Sequence, residues 1–450
     1  MLQEAINTYH DLLTDDLACE SQEQLDDQHK RRGLLFGERP LCTVLRPRFL
    51  TAEQHRFIQR RSRSVLRAFH KAYDAAMEDD SLRAQFGLEP WEEQLIGYDP
   101  GFHDPSPSGR LDAFFTPETS KLHFIEFNAE TPAAVAYGDA LSDVFYGLPV
   151  MREFLRHYDV RPLPARHSVM HSLLDVFRQW SGRRREAPHI AIMDWREVPT
   201  YSEFLLFEEY FRSQGIECEI VDPREVEYRD GRLYAGDFHI NLIYKRMLAS
   251  ELIAREGMNS PVVRAVKEGT VCMSNPFRCK LLYKKASLAV LSDERNAHLF
   301  TPEERQAIAE HIPWTRNVEE RHTLYNGERV ELIPFVIEHR ERFVLKCNDE
   351  YGGKGIVLGW ERDAAGWEEA VLGAMTEPNV VQERVSLPSE PYPSLIDDRA
   401  ELIDRMQDTD PFTFGGDYIN GCLTRLSTQS LLNVTSGAGS TVPTFVVEER

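Results

Sequence analysis

Paired cysteines are missing from this chain. Its seven cysteines, Cys19, Cys42, Cys218, Cys272, Cys279, Cys347 and Cys422, are scattered, odd in number and never in CxxC spacing. That excludes a disulfide framework and a zinc site built on cysteine pairs, and a reducing, cytoplasmic setting is expected. Long apolar runs are missing too: no segment approaches the ~20 apolar residues that span a bilayer. The opening MLQEAINTYHDLLTDD has no basic-then-apolar leader pattern, so no membrane partner is expected. Positive charge is in deficit, 52 Lys and Arg against 73 Asp and Glu, a net charge of −21. A field of that sign repels a phosphate backbone and excludes nucleic acid as the main partner, although local basic groups can still hold a nucleotide. Internal repeats, low-complexity tracts, an HExxH pair and a Ser/His/Asp grouping are all lacking, and nothing asks for a nucleophilic side chain.

What remains is an ordinary globular composition, 42% hydrophobic and 28% charged over 450 residues, enough for about three domains. The first hundred residues read as helical. Thr51 and Gln54 fit a capping box, and Leu66, Phe69, Tyr73 and Met77 then share one helical face. LDAFF and KLHFIEFN read as two strands joined through Thr116, Pro117 and Ser120. Helices follow near 139–157 and 165–180, then a linker at SGRRREAP. HIAIMDW, YSEFLLFEEYFRSQG and IECEIVD form a strand–helix–strand unit, with NLIYKRML a further strand, which argues for a parallel α/β layer. TPEERQAIAEHIP is a capped helix. From about residue 330 strands are expected: ELIPFVIE, RFVLKCN, GIVLGW and NVVQERV. SLPSEPYPS reads as a loop, and GCLTRLS and SLLNVTS as two closing strands.

Four clusters carry chemistry. On paired strands Arg110 and Asp112 share a face, as do Glu126 and Asn128. Asp112, Glu126 and Asn128 offer hard oxygen donors suited to Mg²⁺, and Arg110 can neutralise charge on a transferred phosphoryl group. In KCNDEYGGKG, Lys346 precedes a turn holding Gly352, Gly353, Lys354 and Gly355. Its glycines let backbone N–H groups crowd around an anion. With no GKS/T and no following helix it is not a Walker loop but a strand–glycine loop–strand cover. Gln382, Glu383, Arg384 and Val385 close an apolar strand where polar groups can read an adenine edge. Lys280, Lys284 and Lys285 open a helix-like stretch after Asn275-Pro-Phe, and one of them can hold a phosphate. In the tail, Arg425 with Asn433, Ser436, Gly437 and Gly439 forms a further polar group able to offer donors to an acyl phosphate or a carboxylate. Asp194-Trp195 sits at a strand's carboxyl end, where open α/β sheets bind ligands.

The order of these clusters resembles the circularly permuted ATP-grasp proteins, the group that includes the synthetase domain of glutathionylspermidine synthase. The motifs that carry it are R-x-D at 110–112, EFNAETP at 126–132, NPF with the Lys285 helix, LKCNDEYGGKG at 345–355, VVQERV at 380–385 and the tail from GCLTRLS to TFVV. In most ATP-grasp ligases the acidic and Asn metal ligands follow the adenine hinge; here they precede it. The resemblance implies an α/β (α+β) fold laid out as a helical region at 1–100, metal-ligand strands at 101–165 and a pre-ATP-grasp-like domain at 166–270. ATP-binding subdomains at 271–390 and closing strands at 391–450 complete it.

Carried over residue by residue, the resemblance implies Asp112, Glu126 and Asn128 on Mg²⁺. Arg110 would contact the reacting phosphoryl group and Lys285 and Lys346 the phosphates; Arg425 is added to the catalytic set from the polar cluster of the tail, not from the resemblance. Gly352, Gly353 and Gly355 would form the covering loop, and Gln382 and Glu383 would face adenine; Lys354 and Val385 are added as nucleotide-binding candidates from their place in the same two clusters. The family pattern has Asp before the helix lysine where this chain has Lys284, so Lys280 or Lys284 can stand in for Lys285. The activity implied is ATP-dependent ligation of a small-molecule carboxylate to an amine through an acyl phosphate. A phosphotransferase on the same fold, an inactive ATP-binding partner and a nucleotide-free scaffold are the alternatives. The amidase half of glutathionylspermidine synthase has no room here, which leaves the substrates open.

Overall fold

The computed structural model of the chain describes residues 1–182, 186–350, 352–429 and 439–450. Its centre is a seven-stranded antiparallel sheet. In spatial order the strands are Ser389–Ile396, Arg399–Gln407, Tyr418–Ser427, Asp410–Phe414, Ser108–Thr116 and Lys121–Asn128, with Gly439–Val442 also paired to Tyr418–Ser427. Early and late parts of the chain thus build one sheet. The last two strands of the main order form a hairpin, and its apolar face lies on the long helix Ala52–Glu78. Leu111, Ala113, Phe115, Leu122, Phe124 and Phe127 share one core with Ile58, Val65, Phe69 and Tyr73 of that helix, and the Phe69 and Phe127 rings sit 5.0 Å apart. Thr51 and Gln54 form the reciprocal capping box that starts the helix.

A second, four-stranded antiparallel sheet holds Thr315–Asn317, Asn379–Glu383, Phe343–Cys347 and Val357–Leu358 in that order. A third sheet is parallel: Cys272–Ser274, Leu242–Lys245, His189–Met193 and Glu217–Val221. The helix Tyr201–Ser213 crosses between the last two. A small sheet joins the ends of the chain: Thr444–Glu449 runs parallel to Arg48–Thr51 and antiparallel to Tyr158–Pro162.

Three segments differ from the expected pattern. ELIPFVIE forms the helix Leu332–Glu338, not a strand. Pro334 falls in its first turn, where the missing N–H has no intrahelical partner to lose, and Leu332, Ile333 and Val336 bury one face. SLPSEPYPS is not all loop: Ser389–Ile396 is a strand, paired only to Arg399–Gln407. Its place at the sheet edge lets Pro391 and Pro393 sit in it without breaking a ladder. The helix expected near 139–157 is two, Val135–Gly147 and Pro149–Phe154, parted at Pro149. The strand expected at SLLNVTS, with Asn433, Ser436 and Gly437, lies outside the described residues.

Candidate active site between the hairpin and the second sheet

One extra residue shapes the site. Asp112 pairs with Glu126 and Ala113 with Phe124, so Ile125 has no residue opposite it. A bulge of this kind shifts the alternation of the strand. Leu122, Phe124 and Phe127 enter the core, while His123, Glu126 and Asn128 are left half-buried on the other face. The hairpin pairing sets Arg110 opposite Asn128. Asn275 of the NPF motif locks the hairpin's base. Its amide accepts from Ser108 N at 3.1 Å and donates to the carbonyls of Ser108, Ala129 and Glu130 at 2.6, 2.7 and 3.1 Å.

Lys346 crosses from the second sheet to this face. Its Nζ donates to the Ile125 carbonyl at 3.2 Å and to Gln382 Oε1 at 2.7 Å. The bulge thus supplies one carbonyl to the lysine, and Gln382, fully buried, supplies the other acceptor while donating to Thr315 Oγ1 at 3.0 Å. Burial pushes the Lys346 ammonium down to about 8, against the opposing pull of Glu126. Lys285 approaches from the other side, its Nζ bonded to the Glu350 carbonyl and 3.6 Å from Glu126. Gly352, Gly353 and Gly355 follow with φ of 65°, 79° and 66°. A Cβ at Gly355 would lie 2.3 Å from Cys347 Sγ, so only glycine lets this turn close over the strand.

Lys280 and Lys284 lie elsewhere. Both are buried in an ion-pair network with Lys245, Glu92, Glu130 and Asp349. Lys284 is 2.7 Å from Glu92 and 3.0 Å from Asp349, and Lys280 is 2.5 Å from Asp349. Burial opposes ionisation of Glu130, but Lys245 and Lys280 outweigh it and hold that carboxyl at about 2. Of the three lysines in this stretch, Lys285 is the one facing the hairpin carboxylate.

Arg110 grips Asp112 by both oxygens, at 2.7 and 3.1 Å, and donates to the Ala133 carbonyl. Arg425 reaches the same Asp112 at 2.7 Å, and also Asp408 at 2.5 Å and Asp410 at 3.0 Å. Burial favours a neutral Asp112, but the two arginines hold it at about 2. Asp410 lies the other way: burial, then Asp112 and Asp408, push it far above the carboxylate range. Two guanidiniums face three carboxyls, and the crowding of acids favours the neutral form of Asp410. Asp408 and Asp410 were not among the expected site residues; Asp408 lies in the connection just before the strand that Asp410 opens, and the close spacing of two acids in QDTDPF was the available signal.

Among the described residues no group of three His, Cys, Asp or Glu side chains is arranged to hold a metal. The donor set nevertheless fits a hard cation at Glu126 and Asn128. The Asn128 side-chain nitrogen is buried without a hydrogen-bond partner, and which end of the amide is oxygen is an assignment a ligand would decide. At the far end of the hairpin face lies a cavity of about 600 Å³, lined by His123, Trp314, Phe300, Glu383, Arg384 and Val385 among others. Glu383 accepts from Tyr325 Oη at 2.6 Å and Val385 adds an apolar wall. Gln382 takes no part in that lining; its amide is turned toward Lys346 instead.

No family model matches the chain. In sequence it is 23% identical over 342 residues to uncharacterized protein sll0335 of Synechocystis. The match takes in 71% of this chain and 65% of that protein, so the chain spans slightly under two thirds of its relative's length. In structure it is similar to a glutathione synthetase-like effector, GSS30, from Globodera pallida in its apo form. The TM-score is 0.60 at 11% identity, covering 96% of this chain and 97% of the other. A putative γ-glutamylcysteine synthetase from Methylobacillus flagellatus gives a TM-score of 0.44 at 11% identity over 84% and 87%. The mixed α/β fold is therefore shared with a glutathione synthetase-like protein over nearly the full length of both chains.

Proposed function

We propose that this protein is an ATP- and Mg²⁺-dependent carboxylate–amine ligase with a circularly permuted ATP-grasp arrangement. The observation that carries the reading is the meeting of Lys346 and Lys285 with Glu126 and Asn128 on one face of the hairpin, beside the buried Arg110 and the half-buried Arg425. The fold shared with a glutathione synthetase-like effector supports it, as does the motif order. ATP would supply a γ-phosphoryl group to activate a carboxylate as an acyl phosphate, which an amine then converts to an amide.

In this reading Glu126 and Asn128 hold the metal, and Lys346 and Lys285 receive the phosphates. Gln382 and the Ile125 carbonyl keep the Lys346 ammonium aimed at them. Glu383, Arg384 and Val385 wall the base end. Gly352, Gly353, Lys354 and Gly355 cover the phosphates and exclude water, which protects an acyl phosphate from hydrolysis. Arg110 and Arg425 neutralise charge on the phosphoryl group in transit. Asp112 would be the third oxygen donor to the metal, sharing its carboxylate with Arg110 and Arg425.

One observation favours a second reading, an ATP-binding protein without turnover: both Asp112 oxygens are capped by guanidiniums. Product analysis separates the two. The purified chain is incubated with Mg-ATP and a panel of amino acids, small peptides and polyamines, beside Glu126→Ala and Lys346→Ala. ADP and phosphate that depend on a panel member and vanish in both variants support the ligase. ADP with a phosphorylated product replaces it by a phosphotransferase. Mg-ATP binding with no turnover on any member selects the second reading, and absent binding removes the nucleotide site altogether.

A further inference from the structure

A second cationic cluster lies outside the site just described. Arg46 and Arg48 are both fully buried, and both bond the same oxygen of Glu390, at 2.7 and 3.1 Å. Arg48 uses Nη1 for that contact and lies beside the Tyr392 hydroxyl; its Nε and Nη2 are buried without a hydrogen bond of ordinary geometry, as is Arg46 Nε. Nε and Nη2 form the side-on edge of a guanidinium, the fork that takes a carboxylate or phosphate through two parallel bonds. Arg405, directly opposite Glu390 in the strand pairing, is also buried, bonds Ser394, and leaves its Nε unpartnered. One acid therefore serves two buried arginines, and Arg405 has no acidic partner among the described residues. Burying charged donors without acceptors is costly, and the pattern asks for an anion.

The geometry points to a binding site for a small oxyanion, a carboxylate or phosphate group, seated on the open edge of Arg48 beside Arg46. Glu390 is the member that meets solvent, with 18% of its side chain exposed, and so lies at the entrance. The Tyr392 ring carries the Arg46 guanidinium at 4.1 Å, and its hydroxyl donates to Gln407, the residue before Asp408 of the Arg425 cluster. The arginine pair thus adjoins the candidate active site and is distinct from its phosphate lysines.

Two substitutions of opposite sign test it, with phosphate, citrate, acetate and glutamate as probes in calorimetry and thermal melts of the full chain, without ATP. Wild type is expected to bind at least one probe. Glu390→Gln removes the resident competitor and is expected to tighten binding by about tenfold, while Arg48→Lys loses the fork and weakens it by a similar factor. Phosphate alone marks an inorganic anion site; citrate or glutamate alone marks an organic carboxylate. The proposal is overturned if no probe binds wild type or Glu390→Gln, or if Arg48→Lys binds as wild type does. Because the assay contains no nucleotide, its failure leaves the ligase reading standing, and the reverse holds as well.

Discussion

The Lys346 ammonium rests between a carbonyl and an amide, with no ion pair to a carboxylate among the described residues. Its folded value of about 8 lies below the ordinary 10.5, because burial disfavours the charge. Between those limits the unfolded chain binds the extra proton, so this group's contribution to stability rises with pH across that window. Phosphate binding has the opposite slope, since it needs the charged form. ATP affinity is expected to fall as pH rises through 8, by roughly tenfold per unit once the lysine is neutral. Isothermal titration from pH 7 to 9.5 measures it, and a flat profile would remove Lys346 from the phosphate site. Asp112 leads to a second expectation. Arg110 bonds both of its oxygens and Arg425 adds the shorter bond to Oδ2, so Arg425→Gln removes one of two opposing positive charges and opens one side of Oδ2 to a cation. Mn²⁺ affinity without nucleotide, read by electron paramagnetic resonance, is expected to improve about tenfold; an unchanged value would show that the arginine does not mask the carboxylate. Residue types at Arg110, Asp112, Glu126 and Asn128 were legible because strand alternation places them. The bulge at Ile125 was not, since it depends on pairing that one strand's sequence does not contain.

Elements carry energies that separate surface devices from buried ones. The capping box at Thr51 stands at the start of a helix that the hairpin core already holds. Thr51→Ala is expected to cost about 1 kcal/mol in urea unfolding. Glu92 of the helix Pro90–Ile96 is different, being fully buried between Lys280 and Lys284. Glu92→Gln leaves buried positive charge facing a neutral amide, and a loss of about 3 to 5 kcal/mol is expected. Equal costs for the two variants would show that the network is not desolvated as drawn. The helix cap could be read directly from Thr51 and Gln54, because it is a contact between near neighbours. The network could not: its six members come from segments as far apart as Glu92 and Asp349, and the run of lysines at 280–285 looked like a surface face. The same limit applies to ELIPFVIE and SLPSEPYPS. Local composition suits a strand in the first and a loop in the second, while packing against a neighbouring sheet decides otherwise.

Across the whole molecule the chain is closed on itself. Thr444–Glu449 is the central strand of the small sheet and the common partner of Arg48–Thr51 and Tyr158–Pro162. Asp410–Phe414 pairs with Ser108–Thr116, so a late strand lies beside an early one in the central sheet. The pairing of the final strand with residue 48 was not legible, because TVPTFVV names no partner. Phe445, Val446 and Val447 are all fully buried. Removing three such side chains from a core loses roughly 5 to 9 kcal/mol of apolar burial, which is comparable to the entire stability of a typical domain. Truncation after Val442 is therefore expected to abolish cooperative unfolding, with Arg48–Thr51 and Tyr158–Pro162 left without a shared neighbour. Removal of Arg450 alone, an exposed residue in a surface ion pair with Asp159, should shift the melting temperature little. Circular dichroism melts of the two truncations decide the matter. A cooperative, near-native melt for the longer deletion would mean that the two ends fold independently of the core, and that the Arg48 edge is positioned by something other than this strand.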